Sequence, residues 1–314
     1  MLVNALEISS AAGESRPPLF ALEAMGTRFE LLLPALHERH ARPIAEAALD
    51  IIREWHDALN AFSPASFVGR FNRSTPGEWL HIDNDLWTFL RYCHSVWTAS
   101  AGAFDPALGA RMHDLGLRSM KPAASLPPPA PSRASWGFSH LAWNPDHLAV
   151  ARTIPIELDF GSVAKGWAID RALDELKTLG ITEALIHGGT STVAAIGDGP
   201  SGTGWHVHAI PDLDGPIITL RNSAMSISSP RGRLSDHGHH HVIDPRTGES
   251  ARCARWAICE ATSAADSDAW STVALVSGCS LGTTAQTIPT GVSIRLDKHE
   301  WTSALPTQTL RSGV

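Results

Sequence analysis

Basic residues are outnumbered in this sequence, tyrosine is almost missing, and no long hydrophobic run occurs. Lys and Arg total 25 against 32 Asp and Glu, a formal net charge of −7. No Lys/Arg run is present that could neutralise a phosphate backbone, which argues against a nucleic-acid partner. Nowhere do about 18 apolar residues follow one another, so no membrane span is expected. The N-terminal stretch MLVNALEISSAAGESRPP has neither a basic nor an apolar region, and no lipobox cysteine follows it. The chain as written reads as cytoplasmic, and as periplasmic if its true start lies further upstream. Four cysteines, Cys93, Cys253, Cys259 and Cys279, show no CxxC pairing and no zinc spacing. They read as buried thiols in a reducing compartment. The patterns GxxxxGKS/T and HExxH are missing, which excludes a P-loop and a zincin helix.

What is present is a globular composition, 43% hydrophobic and 18% charged over 314 residues. That length can bury a substantial core as one large or two average domains. Eleven tryptophans stand against one tyrosine; they can fill core or stack on a planar ligand. Residues 20–34 (FALEAMGTRFELLLP) alternate and predict a strand or hairpin arm with a Gly-Thr kink. Residues 41–62 predict a helix with Ile44, Ala48, Ile51, Trp55, Leu59 and Phe62 on one face, followed by turn chemistry in FSPASFVGRFN. A second helix is expected over 84–100, with Leu86, Phe89, Cys93 and Trp97 on a stripe. Residues 121–135 form a proline-rich loop. Residues 140–151 read as a hairpin around Asn-Pro-Asp, and 165–179 as a helix burying Ile169, Leu173, Leu176 and Leu179 before Gly180. Three strands should follow, then a helix over 263–277 and short strands. Strands and helices segregate without strict alternation, so the fold class expected is α+β. The division expected is an extension at 1–19, a single domain at 20–305 and a tail at 306–314.

Three stretches bear chemistry. In ELDFGSVAKGWAIDRALDEL (157–176), an expected strand ending at Asp159 meets a helix start rich in small residues. Backbone N–H groups and the helix dipole suit a phosphate or diphosphate there, with Lys165 adding charge and Gly161 and Gly166 permitting close approach. A tight β–α turn with a surface lysine explains the same letters. In SAADSDAWSTVAL (263–275), Asp268 and Thr272 are four apart on a helix and share a face. Together they offer hard oxygen ligands for Mg²⁺, although Asp and Ser also gather at helix starts as caps. In SDHGHHHVIDPRTGES (235–250), His237, His239, His240 and His241 lack a zinc pattern, since neighbouring strand residues face opposite sides. One inward histidine, His241, could serve as acid, base or phosphate ligand. The DPRTG turn should hold Gly248 at positive φ.

The motifs MGTRFE, FSPASFVGRFN, GAFDPALG, LDFGSVAKGWAID, HVIDPRTG and ADSDAWSTV occur here in the order and approximate spacing of the ApbE family, the FAD:protein FMN transferases. The resemblance covers residues from about 20 to 300. It implies a T-fold-like α+β domain that binds FAD and uses Mg²⁺ to cut the flavin diphosphate. FMN would pass to a threonine of an acceptor flavoprotein and AMP would leave. Residue by residue, it assigns the metal to the Ala164 carbonyl, Asp268 and Thr272. It assigns FAD contacts to Met25, Phe62, Ala103, Phe104, Asp105, Gly161, Lys165 and Trp167, and transfer to His241; the acceptor hydroxyl needs a base, which His241 or a metal-linked carboxylate such as Asp268 could supply. The chain departs from the family pattern at Thr190, where an acid is usual, and at Ser229-Pro230-Arg231, where Ser-Gly is usual. Phe62 replaces a common tyrosine. An FAD pyrophosphatase or FAD-binding relative would keep the same ligands, and a non-catalytic flavin- or metal-binding module is a further reading.

Overall fold

Alternation over the first motif folds as a tight hairpin. In the computed structural model, β1 (Leu19–Ala24) and β2 (Thr27–Leu32) pair antiparallel, joined by Met25 and Gly26 alone. Both turn residues have positive φ, 51° and 71°, the two-residue geometry that matches strand twist. The residues described are 17–117, 136–209, 216–230, 239–252, 254–281, 287–298 and 308–311. The proline-rich segment 121–135, Arg231, His237 and Cys253 lie outside them.

The hairpin forms one edge of an eight-stranded antiparallel sheet. Beyond β2 come β6 (Ala184–Gly188), β7 (Thr192–Ile196), β10 (Ser223–Ser228), β13 (Ala254–Ala261), β14 (Ser293–Lys298) and β15 (Gln308–Arg311). The period-2 rule sorts their side chains between two faces. Leu31, Ile186, Ala194 and Ala224 join the main core with the helices. Leu32, Leu185, Ala195 and Met225 point the other way, under a separate hairpin of β8 (Trp205–His208) and β9 (Ile217–Leu220). Covering both faces explains the unbroken apolar runs such as Leu31–Leu32–Leu33. The architecture is mixed α+β. A small sheet of β3 (Leu80–His81), β5 (Ala149–Arg152) and β4 (Leu141–Asn144) lies apart, the last two being the Asn-Pro-Asp hairpin.

Three helices cover the core face of the large sheet: α1 (Glu38–Leu59), α5 (Ala164–Thr178) and α6 (Ala264–Ser277). Packing changes the expected α1 stripe. The buried residues are Ala41, Ala45, Ala48, Leu49, Ile52, Trp55 and Leu59, while Ile44 and Ile51 pack only at its margin. Small alanines let a neighbouring helix approach, so the apolar face turns toward them. Phe62 lies beyond the helix end and is 49% exposed. Leu179, expected inside, is exposed at the cap of α5, where Gly180 reverses the chain at φ 79°. Helix α3 (Asn84–Ala99) starts as expected, with the Asp83 side chain accepting from Leu86 N–H at 2.8 Å. Several elements were not foreseen, and 183–197 and 216–229, each read as one strand, fold as two strands apiece. The stretch read as turn contains α2 (Phe67–Arg73), capped by Ser66, and β13 occupies a segment given no element. The remaining helix, α4 (Gly109–Asp114), leads toward the small hairpin of β11 (Ile243–Asp244) and β12 (Glu249–Ser250), which turns through Gly248 at φ 73°.

Candidate active site

The approach to α5 is irregular rather than a strand ending at Asp159. Asn72, on α2, takes the place of a neighbouring strand: its amide accepts from Leu158 N–H at 2.7 Å and donates to Leu158 C=O at 3.0 Å. Asp159 N–H donates to Pro106 C=O at 2.7 Å and Gly109 N–H to Glu157 C=O at 2.9 Å. The GAFDPALG segment is thereby fastened alongside the lead-in to Lys165.

At the start of α5 the chain meets α6. Lys165 Nζ donates to Gly161 C=O at 3.2 Å and lies 3.6 Å from Asp268 Oδ2. The same Oδ2 accepts from Gly166 N–H at 3.1 Å, and Oδ1 accepts from Ser226 Oγ at 3.3 Å. Asp268 is only 3% exposed, and a buried carboxylate is sustained by partners of this kind. Gly166 is required by closeness: a Cβ there would sit 2.2 Å from the Ala264 carbonyl oxygen.

The expectation that Asp268 and Thr272 share a face holds, and β10 supplies the matching half. Ser226 meets Asp268, and Ser228 Oγ lies 3.2 Å from Thr272 Oγ1 and 2.8 Å from Ser271 Oγ. Four residues of helix rise about 6 Å and two residues of strand about 6.8 Å, so the two repeats stay in step. Sequence reasoning passed over these serines. Their period-2 placement in SAMSISS, polar residues within an apolar strand, was the available signal. The single Ser226 Oγ–H is shared between Asp268 Oδ1 and Ser191 C=O, the latter at 3.0 Å, and its oxygen lies 3.1 Å from Thr192 Oγ1. This ties the site to the turn holding Gly189 and the exposed Thr190. That turn packs on the β1–β2 hairpin, where Gly189 N–H donates to Arg28 C=O at 2.8 Å. Met25 N–H, at the hairpin tip, donates to His56 Nδ1 at 3.0 Å.

Gly161, Ala164, Lys165, Asp268 and Thr272 are thus brought together by α5, α6 and β10. Met25, Phe62 and His241 stand on other segments. The backbone bond of His240 N–H to Ser250 Oγ and the contact of its Nδ1 with Pro230 C=O, 2.7 Å, tether the histidine run to the end of β10. Side chains of Ala103, Phe104 and Trp167 are core, 2%, 1% and 7% exposed. Trp167 packs among Trp55, Phe89 and Tyr92 with centroids 5.2–5.7 Å away. Its indole is therefore committed to the interior. Among the described residues, no group of three or more His, Cys, Asp or Glu side chains gathers into a metal centre. No helix among them is long and apolar enough to cross a membrane. Cys93 and Cys259 are buried thiols, pushed well above the ordinary thiol value by burial.

Asp105 clamps the neighbouring loop. It accepts from Ala107 N–H at 2.8 Å, Phe138 N–H at 3.1 Å and Trp97 Nε1–H at 3.2 Å. Burial outweighs these bonds and pushes its carboxyl up from 3.8 to about 6. The folded chain then holds a proton that the unfolded chain releases, so stability falls as pH rises through that window, by roughly 3 kcal/mol at most. Thermal unfolding at pH values either side of the window should show this fall, and Asp105→Asn should flatten it. An unchanged slope in the variant would remove Asp105 as the cause.

The sequence pattern of the ApbE family matches residues 25–290. A protein named FAD:protein FMN transferase from Rhodobacter capsulatus is 28% identical over 243 residues, covering 72% of this chain and 45% of the relative. One of the same name from Chlamydia muridarum is 28% identical over 214 residues, covering 65% of each. The chain thus spans about half to two thirds of the length of these curated relatives. Among solved structures, the ApbE protein of Thermotoga maritima superposes with a TM-score of 0.76 at 21% identity, covering 95% of this chain and 97% of that one. The flavin transferase ApbE of Vibrio cholerae superposes with a TM-score of 0.74 at 20% identity, covering 95% and 98%. These two likenesses establish the fold.

Proposed function

The chain belongs to the ApbE family, and from that premise we propose that it is an FAD:protein FMN transferase acting on a threonine of an acceptor flavoprotein. The observation that carries the reading is the meeting of Lys165 and Asp268 at the start of α5, 3.6 Å apart. A cation and a carboxylate stand there beside small residues, where a diphosphate can reach the main chain.

The donors fit Mg²⁺. Asp268, the Thr272 hydroxyl and the Ala164 carbonyl are all oxygen ligands, and an ammonium already lies in front of Asp268 Oδ2. Mg²⁺ typically takes one or two carboxylates and completes its shell with water and substrate phosphate. When bound, it would neutralise diphosphate charge and steady the departing phosphate. The chain's own groups do the rest. Lys165 exchanges Asp268 for a diphosphate oxygen, and Gly161 admits the diphosphate to the backbone. Phe62, exposed beyond α1, offers a ring for stacking. The acceptor hydroxyl oxygen bonds to the FMN phosphorus as the bond from that phosphorus to the bridging oxygen breaks. AMP leaves with the bond's electron pair, and the hydroxyl proton passes to His241 or to Asp268. Positioning and charge, rather than a covalent enzyme species, supply most of the rate in such transfers.

Purified protein given FAD and Mg²⁺, with and without a threonine-bearing acceptor flavoprotein, should release AMP and leave a flavin-fluorescent acceptor band. Free FMN and AMP with no labelled acceptor would replace transfer by hydrolysis, the reading that Thr190 and Pro230 favour. Intact FAD in both reactions would refute both. Lys165→Ala should weaken FAD binding about 10-fold or more by titration, since a desolvated charge-assisted pair is lost. Equal affinity would leave Lys165 a surface residue of the turn.

A further inference from the structure

Helix α6, which carries Asp268 and Thr272, is almost wholly buried, so its terminal N–H and C=O groups need partners from the protein. At its C-terminal end, Arg246 donates to Val276 C=O at 3.3 Å while paired with Asp244 at 2.8 Å. At its N-terminal end the partner is Asp170, two turns into α5. Its Oδ1 accepts from Ala264 N–H at 2.7 Å, and its Oδ2 accepts from Ala265 N–H at 2.9 Å and Ser263 Oγ at 2.7 Å. Ser263 Oγ in turn accepts from Asp266 N–H at 3.2 Å, whose side chain accepts from Tyr92 Oη at 2.8 Å. The two helices cap one another in opposite directions. Asp170 of α5 holds the first turn of α6, and Asp268, one turn further along α6, accepts Gly166 N–H in the first turn of α5.

The geometry points to Asp170 as a positioning residue, which fixes the rotation and height of α6 so that Asp268 and Thr272 face the start of α5. This rests on the transferase reading only for its kinetic consequence. Among the described residues Asp170 is the side chain that accepts from Ala264 and Ala265 N–H; Ser263, the N-cap, already serves Asp266 N–H, and Gly166 leaves the helices in close backbone contact. A negative charge at this end also suits the helix dipole, as Arg246 does at the other. A filled N-terminus further means that α6 cannot itself cradle a phosphate, which leaves the start of α5 for that role.

Asp170→Asn keeps the volume but presents an N–H₂ to N–H donors. The expected result is a 10- to 100-fold lower kcat, the range for groups that orient ligands, with FAD affinity within about 3-fold of the wild type. Independently of activity, hydrogen exchange at the Gly166 amide should accelerate, because Asp268 no longer stays in place to accept from it. Arg246→Gln serves as the comparison, lowering thermal stability while leaving kcat and Gly166 exchange near wild type. Unchanged Gly166 protection in Asp170→Asn would overturn the inference whatever the kinetics; so would a kcat loss no larger than that of Arg246→Gln. Should Asp170→Asn fail to fold, Ser263→Ala removes the bond to Asp170 Oδ2 and the cap on Asp266 N–H while leaving Asp170 on Ala264 and Ala265 N–H, and should move kcat and Gly166 exchange in the same direction. A wild-type protein without FAD cleavage would refute the transferase reading alone, since the Gly166 measurement still reports on Asp170.

Discussion

Replacing Asp268 by alanine is expected to lower Mg²⁺-dependent FAD cleavage by at least about 10²–10³-fold, the scale on which a preorganised charge acts on a transition state, while FAD affinity changes little. The asymmetry follows from the partners of this carboxylate. Asp268 is the sole acid among the proposed oxygen donors, so its loss leaves the Thr272 hydroxyl and the Ala164 carbonyl, both neutral. Binding should survive because Lys165, no longer 3.6 Å from a carboxylate, is released to pair with the diphosphate. Gly166 N–H and Ser226 Oγ, which Asp268 now accepts from, would lose a partner in a buried place, and some stability goes with them. Circular dichroism and FAD titration therefore accompany the rate measurement. Asp268→Asn, which keeps volume and an acceptor, should lose nearly as much activity at a smaller cost in stability. Cleavage at the wild-type rate in either variant would mean that the metal set lies elsewhere.

Gly166→Ala should be among the most damaging single-methyl additions in the protein. Intrinsic helix propensity predicts a gain of about 1 kcal/mol for Gly→Ala inside a helix. Sterics reverse the sign. The added Cβ would lie 2.2 Å from the Ala264 carbonyl oxygen, 2.6 Å from its carbon and 2.8 Å from Asp268 Cβ. All three belong to the backbone or its first side-chain atom, so no flexible tip can move aside. Forcing α5 and α6 apart costs on the order of 3 kcal/mol and separates Lys165 and Gly166 from Asp268. A thermal midpoint several degrees lower, with FAD cleavage largely lost, is the expected pair of results. Gly180→Ala is the useful contrast: its Cβ would meet nothing within 4 Å, and only φ 79° opposes it, a cost of about 1–2 kcal/mol. Equal stability of Gly166→Ala and wild type would remove the close helix crossing on which the site depends.

Local patterns settled much of the fold in advance. The stripe of α3 and the α6 span follow from periodicity, which acts over a few residues, whereas 183–197 and 216–229, each read as one strand, fold as two strands apiece. The site was legible in part for the same reason: small residues surround Lys165 within one segment, and Asp268 and Thr272 lie one helical turn apart. The α1 stripe was misjudged because periodicity reports that a face is apolar, while the neighbour selects which alanines turn inward. The resemblance alone gives Trp167 as an FAD contact, and nothing nearby in sequence announces Trp55, Phe89 and Tyr92 as the surroundings of its ring.

By itself, then, the sequence determined the main helices, the family motifs and the residue types at the start of α5 and α6, because each depends on neighbours along the chain. The tertiary structure alone decided that Ser226 and Ser228 stand in step with Asp268 and Thr272, that Asp170 caps the helix bearing them, and that Gly166 must lack a side chain. Those relations join residues 42, 94 and 102 positions apart, and a contact across such a distance exists only once packing has chosen which two faces meet.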